Sequence, residues 1–259
     1  MDESTTEPEI VILPDAESVA RVAATLIVAS AEAAWSDEFS IALAGGDTPG
    51  LLYEILATEP YVSRIRWDRW RVWWGDERAV GPDAPESNYA LARERLLQYV
   101  PISPDRVHRI PGEKGAAVAA RAYDTEMHRH FGARLPLMDV VLLGIGEDGH
   151  IASLFPGSQA LEEKNLAVVH SLAAHPPRER VTLTLPAINA ARRVVFIVTG
   201  RNKAHALRAV IAADQEDAQQ PPAALVRPEN GYVHFIVDEA AGLFLTGVPA
   251  RESPRTAHT

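Results

Sequence analysis

One stretch of the chain gathers the residue types that do chemistry. Leu142-Leu143-Gly144-Ile145-Gly146-Glu147-Asp148-Gly149-His150-Ile151-Ala152-Ser153-Leu154-Phe155-Pro156-Gly157 starts apolar, turns at glycines, then presents Asp148 and His150 two residues apart. Imidazole titrates near neutrality, so it suits the removal of a proton from water. A carboxylate beside it fixes the tautomer and raises the basicity. The other histidines read mostly as surface or core residues; the glycine-rich end of a buried strand sets His150 apart.

Four more segments put polar groups at the ends of apolar runs. Leu43-Ala44-Gly45-Gly46-Asp47-Thr48-Pro49 follows a strand pattern. Its glycines let a ligand approach the backbone, Thr48 is the expected N-cap and Pro49 the expected first helical residue. The helix N-terminus so formed offers free N–H groups to an anion, although the same pattern also makes an ordinary strand-to-helix turn. The spacing fits neither a P-loop nor a dinucleotide fingerprint. Trp74-Gly75-Asp76-Glu77-Arg78 crowds three charges at another strand end, which in a bland reading is a solvated loop. Arg78 is its candidate for binding a phosphate or a developing oxyanion, with Asp76 beside it. Arg180, opening Arg180-Val181-Thr182-Leu183-Thr184, and Lys203, just after Gly200, each add one cation that could equally be surface charge.

These groups need elements to hold them. Strands are expected at Glu9–Leu13, Ser40–Ala44, Trp70–Trp74, Met138–Gly144, Ala167–His170, Arg180–Leu185, Val194–Thr199 and Tyr232–Asp238. Helices are expected from Asp15 to about Trp35, from Pro49, from Ser87 to about Tyr99, over Gly115–Phe131 and Asn202–Ala212, and in a short Pro222–Val226 piece. The alternation predicts an α/β fold: a mostly parallel twisted sheet flanked by helices on both faces, Rossmann-like. In such sheets ligands sit beyond the carboxyl ends of the strands, and the polar segments lie at strand ends. With no repeat, low-complexity tract or clear linker, residues 1–259 read as one domain, ordered over about 9–248 with a polar tail at 251–259.

Composition narrows the chemistry. The 259 residues are 47% hydrophobic, enough for a substantial core, and carry a formal net charge of −10. That charge disfavours nucleic acid and anionic membranes as partners, and it obliges any anionic ligand to be held by local cations. There is no cysteine, so disulfides, thiolate nucleophiles and cysteine-bound metals are excluded. His128 and His130 lie two apart on a helix and point to different faces, so they do not chelate together, and no metal is expected. The acidic start Met1-Asp2-Glu3-Ser4 does not read as a signal peptide, and the Val19–Ala34 run is interrupted by Arg21 and Glu32. A cytoplasmic protein is expected, monomeric or homodimeric.

Taken together, these segments resemble the glucosamine-6-phosphate isomerase/6-phosphogluconolactonase family. The likeness rests on the Gly45 loop, Gly75-Asp76-Glu77-Arg78, Ser87-Asn88, Asp148-Gly149-His150-Ile151-Ala152-Ser153-Leu154-Phe155-Pro156-Gly157, the Arg180 strand, Gly200-Arg201-Asn202-Lys203-Ala204 and Val233–Ala241. The resemblance implies a fold of the lactonase type and hydrolysis of a phosphorylated sugar lactone in the pentose phosphate pathway, without cofactor. It implies His150 as base, Asp148 as its partner, Arg78 and Asp76 as further catalytic residues, and Gly45, Gly46, Thr48, Arg180 and Lys203 around the phosphate.

Two alternatives follow from the same likeness. In the deaminase branch the histidine motif resembles Asp-Gly-His-x-Ala-Phe-Asn-Glu-Pro; here Phe155 stands where a carboxylate would, and it cannot take a proton. A sugar-phosphate sensor is disfavoured by the negative charge and the few residues before the first strand. Asp47 departs from the small neutral residue common in the family. A carboxylate there would repel phosphate, so Asp47 is expected to turn away and cap the helix, or to be offset by a cation.

Overall fold

Continuous apolar runs become strands buried on both faces. Phe39–Leu43 and Val140–Leu143 are buried at every position, and Arg193–Val198 at every position after the first. The structure is a computed structural model that describes residues 7–34, 36–132, 135–213 and 220–245. The expected tail at 251–259 lies outside them.

Strands β1 (Glu9–Leu13), β2 (Phe39–Leu43), β3 (Trp70–Trp74), β5 (Val140–Leu143), β8 (Arg193–Val198) and β9 (Tyr232–Asp238) form a six-stranded sheet in the order β1-β9-β8-β5-β2-β3. Every pairing in it is parallel. Parallel neighbours need crossover connections, which the helices provide. These are α1 (Ala16–Glu32), α2 (Asp47–Leu56), α3 (Tyr61–Arg64), α4 (Asn88–Ala92), α5 (Ala116–Phe131), α6 (Leu185–Asn189) and α7 (Ala204–Ile211). Asp15 caps α1 by accepting from the Ser18 N–H at 2.8 Å. The helix opened by Ser87 continues from α4 through a wider π-helical turn over Arg93–Leu97.

Not all strands join that sheet. Strands β4 (Asp76–Arg78), β7 (Glu179–Leu183) and β6 (Val168–Leu172) make a second, antiparallel sheet in the order β4-β7-β6. The expected strands near residues 167 and 180 therefore exist but sit outside the parallel sheet. The segment between β6 and β7 is too short for a crossover and closes as a hairpin, with the Ala173 N–H donating to the Arg178 carbonyl at 2.8 Å.

Gly75 joins the two sheets. Its N–H donates to the Leu43 carbonyl at the end of β2 (2.9 Å), and its carbonyl accepts from Leu183 N–H at the end of β7 (2.8 Å). Two buried tyrosines finish the neighbouring strand ends. The Tyr53 hydroxyl donates to the Ala44 carbonyl (2.6 Å) and accepts from the Ala44 N–H (3.0 Å). The Tyr123 hydroxyl does the same for Trp74, at 3.3 Å and 2.7 Å. Burial drives both phenols well above the ordinary tyrosine value.

Candidate active site

The chain order reverses between β5 and β2: from β2 it proceeds to β3 at one edge, and from β5 to β8 and β9 on the other side. Ligand crevices in open parallel sheets form at such points, beyond the carboxyl ends. Two connected lobes occupy this place. One, of about 290 Å³, is lined by residues that include Gly75, Asp76, Arg78, Asn88, Gly146, His150 and Ala152. The other, of about 370 Å³, is lined by residues that include Asp47, Thr48, Pro49, Thr199 and Asn202. Gly45, Gly46, Gly144, Ile145 and Lys203 border both.

In the first lobe His150 Nδ1 lies 2.6 Å from Asp148 Oδ1, and the same oxygen accepts from the His150 backbone N–H at 3.1 Å. Burial alone would raise the Asp148 carboxyl, but these hydrogen bonds outweigh it and hold the group below the usual carboxylate value. An ionised Asp148 takes the Nδ1 proton as its donor, so the free electron pair of the ring is at Nε2. Gly146 makes this geometry possible: a Cβ there would come within 2.0 Å of His150 Nδ1 and 2.6 Å of Asp148 Oδ1. Phe155 packs on the imidazole with ring centroids 4.8 Å apart. Ala152, at φ 46, is the non-glycine residue held in the left-handed region among those described, and it lines the lobe.

Arg78 and Arg180 are register partners across β4 and β7. Neither makes an ion pair among the described residues. Arg78 donates from Nη1 to the Glu86 carbonyl, its buried Nε has no partner, and Arg180 donates from Nε to the Pro177 carbonyl at 2.8 Å. Burial, and next the like charge of Arg78, hold the Arg180 guanidinium below its ordinary value. Arg78 lines the first lobe; Arg180 lies on the rung behind it and lines neither lobe.

The polar residues around Arg78 include several that sequence patterns did not single out. Glu77 is 3% exposed rather than part of a solvated loop. Its carboxylate accepts from the N–H groups of Arg78, Asn88 and Tyr89 and from the Ser87 hydroxyl, anchoring the start of α4. Burial raises its carboxyl despite these donors. Asp76 accepts from Asn88 Nδ2 at 3.1 Å and from the Ser153 hydroxyl at 2.7 Å. Ser153 N–H in turn donates to Thr182 Oγ1 at 3.1 Å. Asn88 is 1% exposed and lies against Gly45, where a Cβ would meet its Oδ1 at 1.9 Å. One network thus ties the glycine loop, Asp76 and the His150 loop together. The Ser87-Asn88 pair and the serine of the histidine motif were visible in the sequence, but nothing in their spacing marks them as partners of Asp76.

The second lobe is built from two helix starts. Gly46, at φ 110, is the N-cap of α2, so Asp47 is the first helical residue and Thr48 the second. Thr48 is therefore not the cap: its hydroxyl bonds Thr199 Oγ1 at 2.6 Å instead. Pro49 falls third and has no N–H, and the Asp47 and Thr48 amides of the first turn have no preceding helical carbonyl to bond and no side-chain cap. Asp47 is exposed, caps nothing and has no cation within ion-pair distance among the described residues. Opposite, Gly200 N–H donates to both oxygens of the buried Asp238 at 3.1 and 3.0 Å, which fixes the turn leading to Lys203. Lys203 makes no ion pair among the described residues and borders both lobes. No group of three or more metal-binding side chains occurs among the described residues.

Comparison with known proteins agrees with this architecture. A family model described as glucosamine-6-phosphate isomerases/6-phosphogluconolactonase matches residues 14–235. A 6-phosphogluconolactonase of Nostoc sp. is 38% identical over 242 residues, spanning 91% of this chain and 97% of the relative. A human 6-phosphogluconolactonase is 38% identical over 211 residues, 80% of this chain and 81% of that one. The solved structure of 6-phosphogluconolactonase from Trypanosoma cruzi superposes with a TM-score of 0.83 at 34% identity, over 93% of this chain and 97% of that chain.

Proposed function

The chain belongs to the glucosamine-6-phosphate isomerase/6-phosphogluconolactonase family, and from this we propose that it hydrolyses 6-phospho-D-glucono-1,5-lactone to 6-phospho-D-gluconate in the pentose phosphate pathway. It is a carboxylic ester hydrolase. The observation that carries the reading is the shared border of the two lobes: a hydrogen-bonded Asp148–His150 pair opens on the first, and the unpaired Lys203 stands between it and the second.

His150 Nε2 takes a proton from water as the water oxygen bonds to C1 of the lactone. Asp148 holds the ring in the required tautomer and stabilises the imidazolium. Arg78 faces the developing oxyanion, a contribution of about 3 kcal/mol in comparable sites. The C1–ring oxygen bond then breaks, and the imidazolium returns its proton to the departing oxygen. Asp76, with both carboxylate oxygens already engaged, positions rather than transfers protons. The phosphate sits in the second lobe on the open amides of α2 and on Lys203, and Arg180 adds positive potential from behind Arg78. Phe155 against the imidazole favours this chemistry over deamination, which needs a second proton-carrying group at that place.

A cytoplasmic location is part of this proposal. No helix among the described residues is long and apolar enough to cross a membrane, and the chain has no cysteine to oxidise. The test is direct. Purified protein is added to freshly prepared lactone and 6-phosphogluconate formation is compared with spontaneous opening, in parallel with an ammonia assay on glucosamine 6-phosphate. Accelerated opening without ammonia is expected; ammonia release without acceleration overturns the reading.

A further inference from the structure

Asp47 satisfies neither expectation drawn from its sequence position. It does not cap α2, and no cation lies within ion-pair distance of it among the described residues. It stays exposed on the wall of the lobe that holds Lys203. We propose that Asp47 is a charge-selectivity residue whose carboxylate lowers the affinity of the cleft for the phosphorylated product.

The physical basis is a competition for one positive helix end. A carboxylate in the first turn of α2 interacts favourably with the partial positive charge there. A phosphate on the two open amides uses the same charge, so ligand and side chain oppose each other. Substrate and product carry the same phosphate, so the penalty falls on both, and on the product it acts against retention after turnover. Lys203 lines the same lobe but makes no ion pair with Asp47, so the charge stands uncancelled among the described residues.

This inference rests on the placement of the phosphate in the second lobe, and the experiment separates the two. Binding of 6-phosphogluconate and of gluconate is measured by calorimetry for the wild type, Asp47→Asn and Lys203→Met. Removing one exposed charge near a phosphate is expected to tighten 6-phosphogluconate binding about three- to tenfold, with the gain shrinking in concentrated salt. Gluconate binding is expected to be unaffected by Asp47→Asn, and Lys203→Met to weaken 6-phosphogluconate binding. If Lys203→Met weakens binding while Asp47→Asn leaves it equal or weaker, the phosphate placement stands and the role of Asp47 is overturned. If neither variant changes 6-phosphogluconate binding, the placement itself fails, and the inference with it. An equal gain for gluconate also overturns it, because the effect would not be tied to phosphate.

Discussion

The Ser153 hydroxyl donates to Asp76 Oδ2 at 2.7 Å, joining residues 77 positions apart in the chain. Ser153 rides on the loop that carries His150, and Asp76 on the strand that carries Arg78. The spacing of base and guanidinium is set by this bond together with the one from Ser153 N–H to Thr182.

Ser153→Ala is expected to lower kcat/KM by about tenfold or more through misplacement of the two groups. It also leaves a buried carboxylate oxygen without its donor, at a cost of about 1–3 kcal/mol in urea unfolding. Turnover equal to wild type would show that the link is not needed for alignment.

Two substitutions probe the base. His150→Ala is expected to reduce kcat by about a hundredfold or more while 6-phosphogluconate still binds. Gly146→Ala places a methyl where the imidazole stands and should reproduce much of that loss without touching a titratable group. Wild-type turnover in His150→Ala ends the proposed mechanism.

Tyr53→Phe removes a hydroxyl that serves both backbone groups of Ala44, which are buried beside the glycine loop. Leaving them unserved is expected to cost about 1–3 kcal/mol in a denaturant titration. An unchanged midpoint would mean the strand end is stabilised otherwise.

Stability is expected to depend on pH through His234 and His130. His234 Nε2 accepts from Arg193 at 3.1 Å and its Nδ1 faces Glu9 at 3.1 Å, so the neutral ring fits the site. Burial, then the Arg193 charge, hold its pKa below the usual 6.5; burial, then Arg71, do the same to His130. Between the lowered folded values and 6.5 the unfolded chain binds more protons. Stability contributed by these rings is therefore whole above 6.5 and lost as pH falls through the folded values. Urea midpoints should drop as the pH falls below 6.5, less steeply in His234→Gln. A drop equally steep in the variant would assign the effect elsewhere.

The parallel sheet was legible because its strands are continuous apolar runs with glycines or caps at their ends. Asp148 and His150 were legible because a strand end, a glycine turn and a short spacing coincide. Strand β4 was not, since Asp76-Glu77-Arg78 has no apolar pattern; its burial depends on hydrogen bonds from residues about ten positions away. The same holds for Asn88 and Ser153, whose roles are set by partners far along the chain. Thr48 has the chemistry of a cap, but Gly46 already turns the backbone, and the hydroxyl finds Thr199 across the cleft.

Gly75 belongs to both hydrogen-bond ladders, and this divides the labour of the molecule. The glycine loop, the His150 loop and Lys203 follow strands of the larger sheet, whereas Arg78 is carried by the smaller one. The proposed base and the proposed oxyanion group are thus written on separate pieces of backbone that share the Gly75 peptide. A distortion at that joint can leave a ligand held firmly in a cleft that no longer converts it.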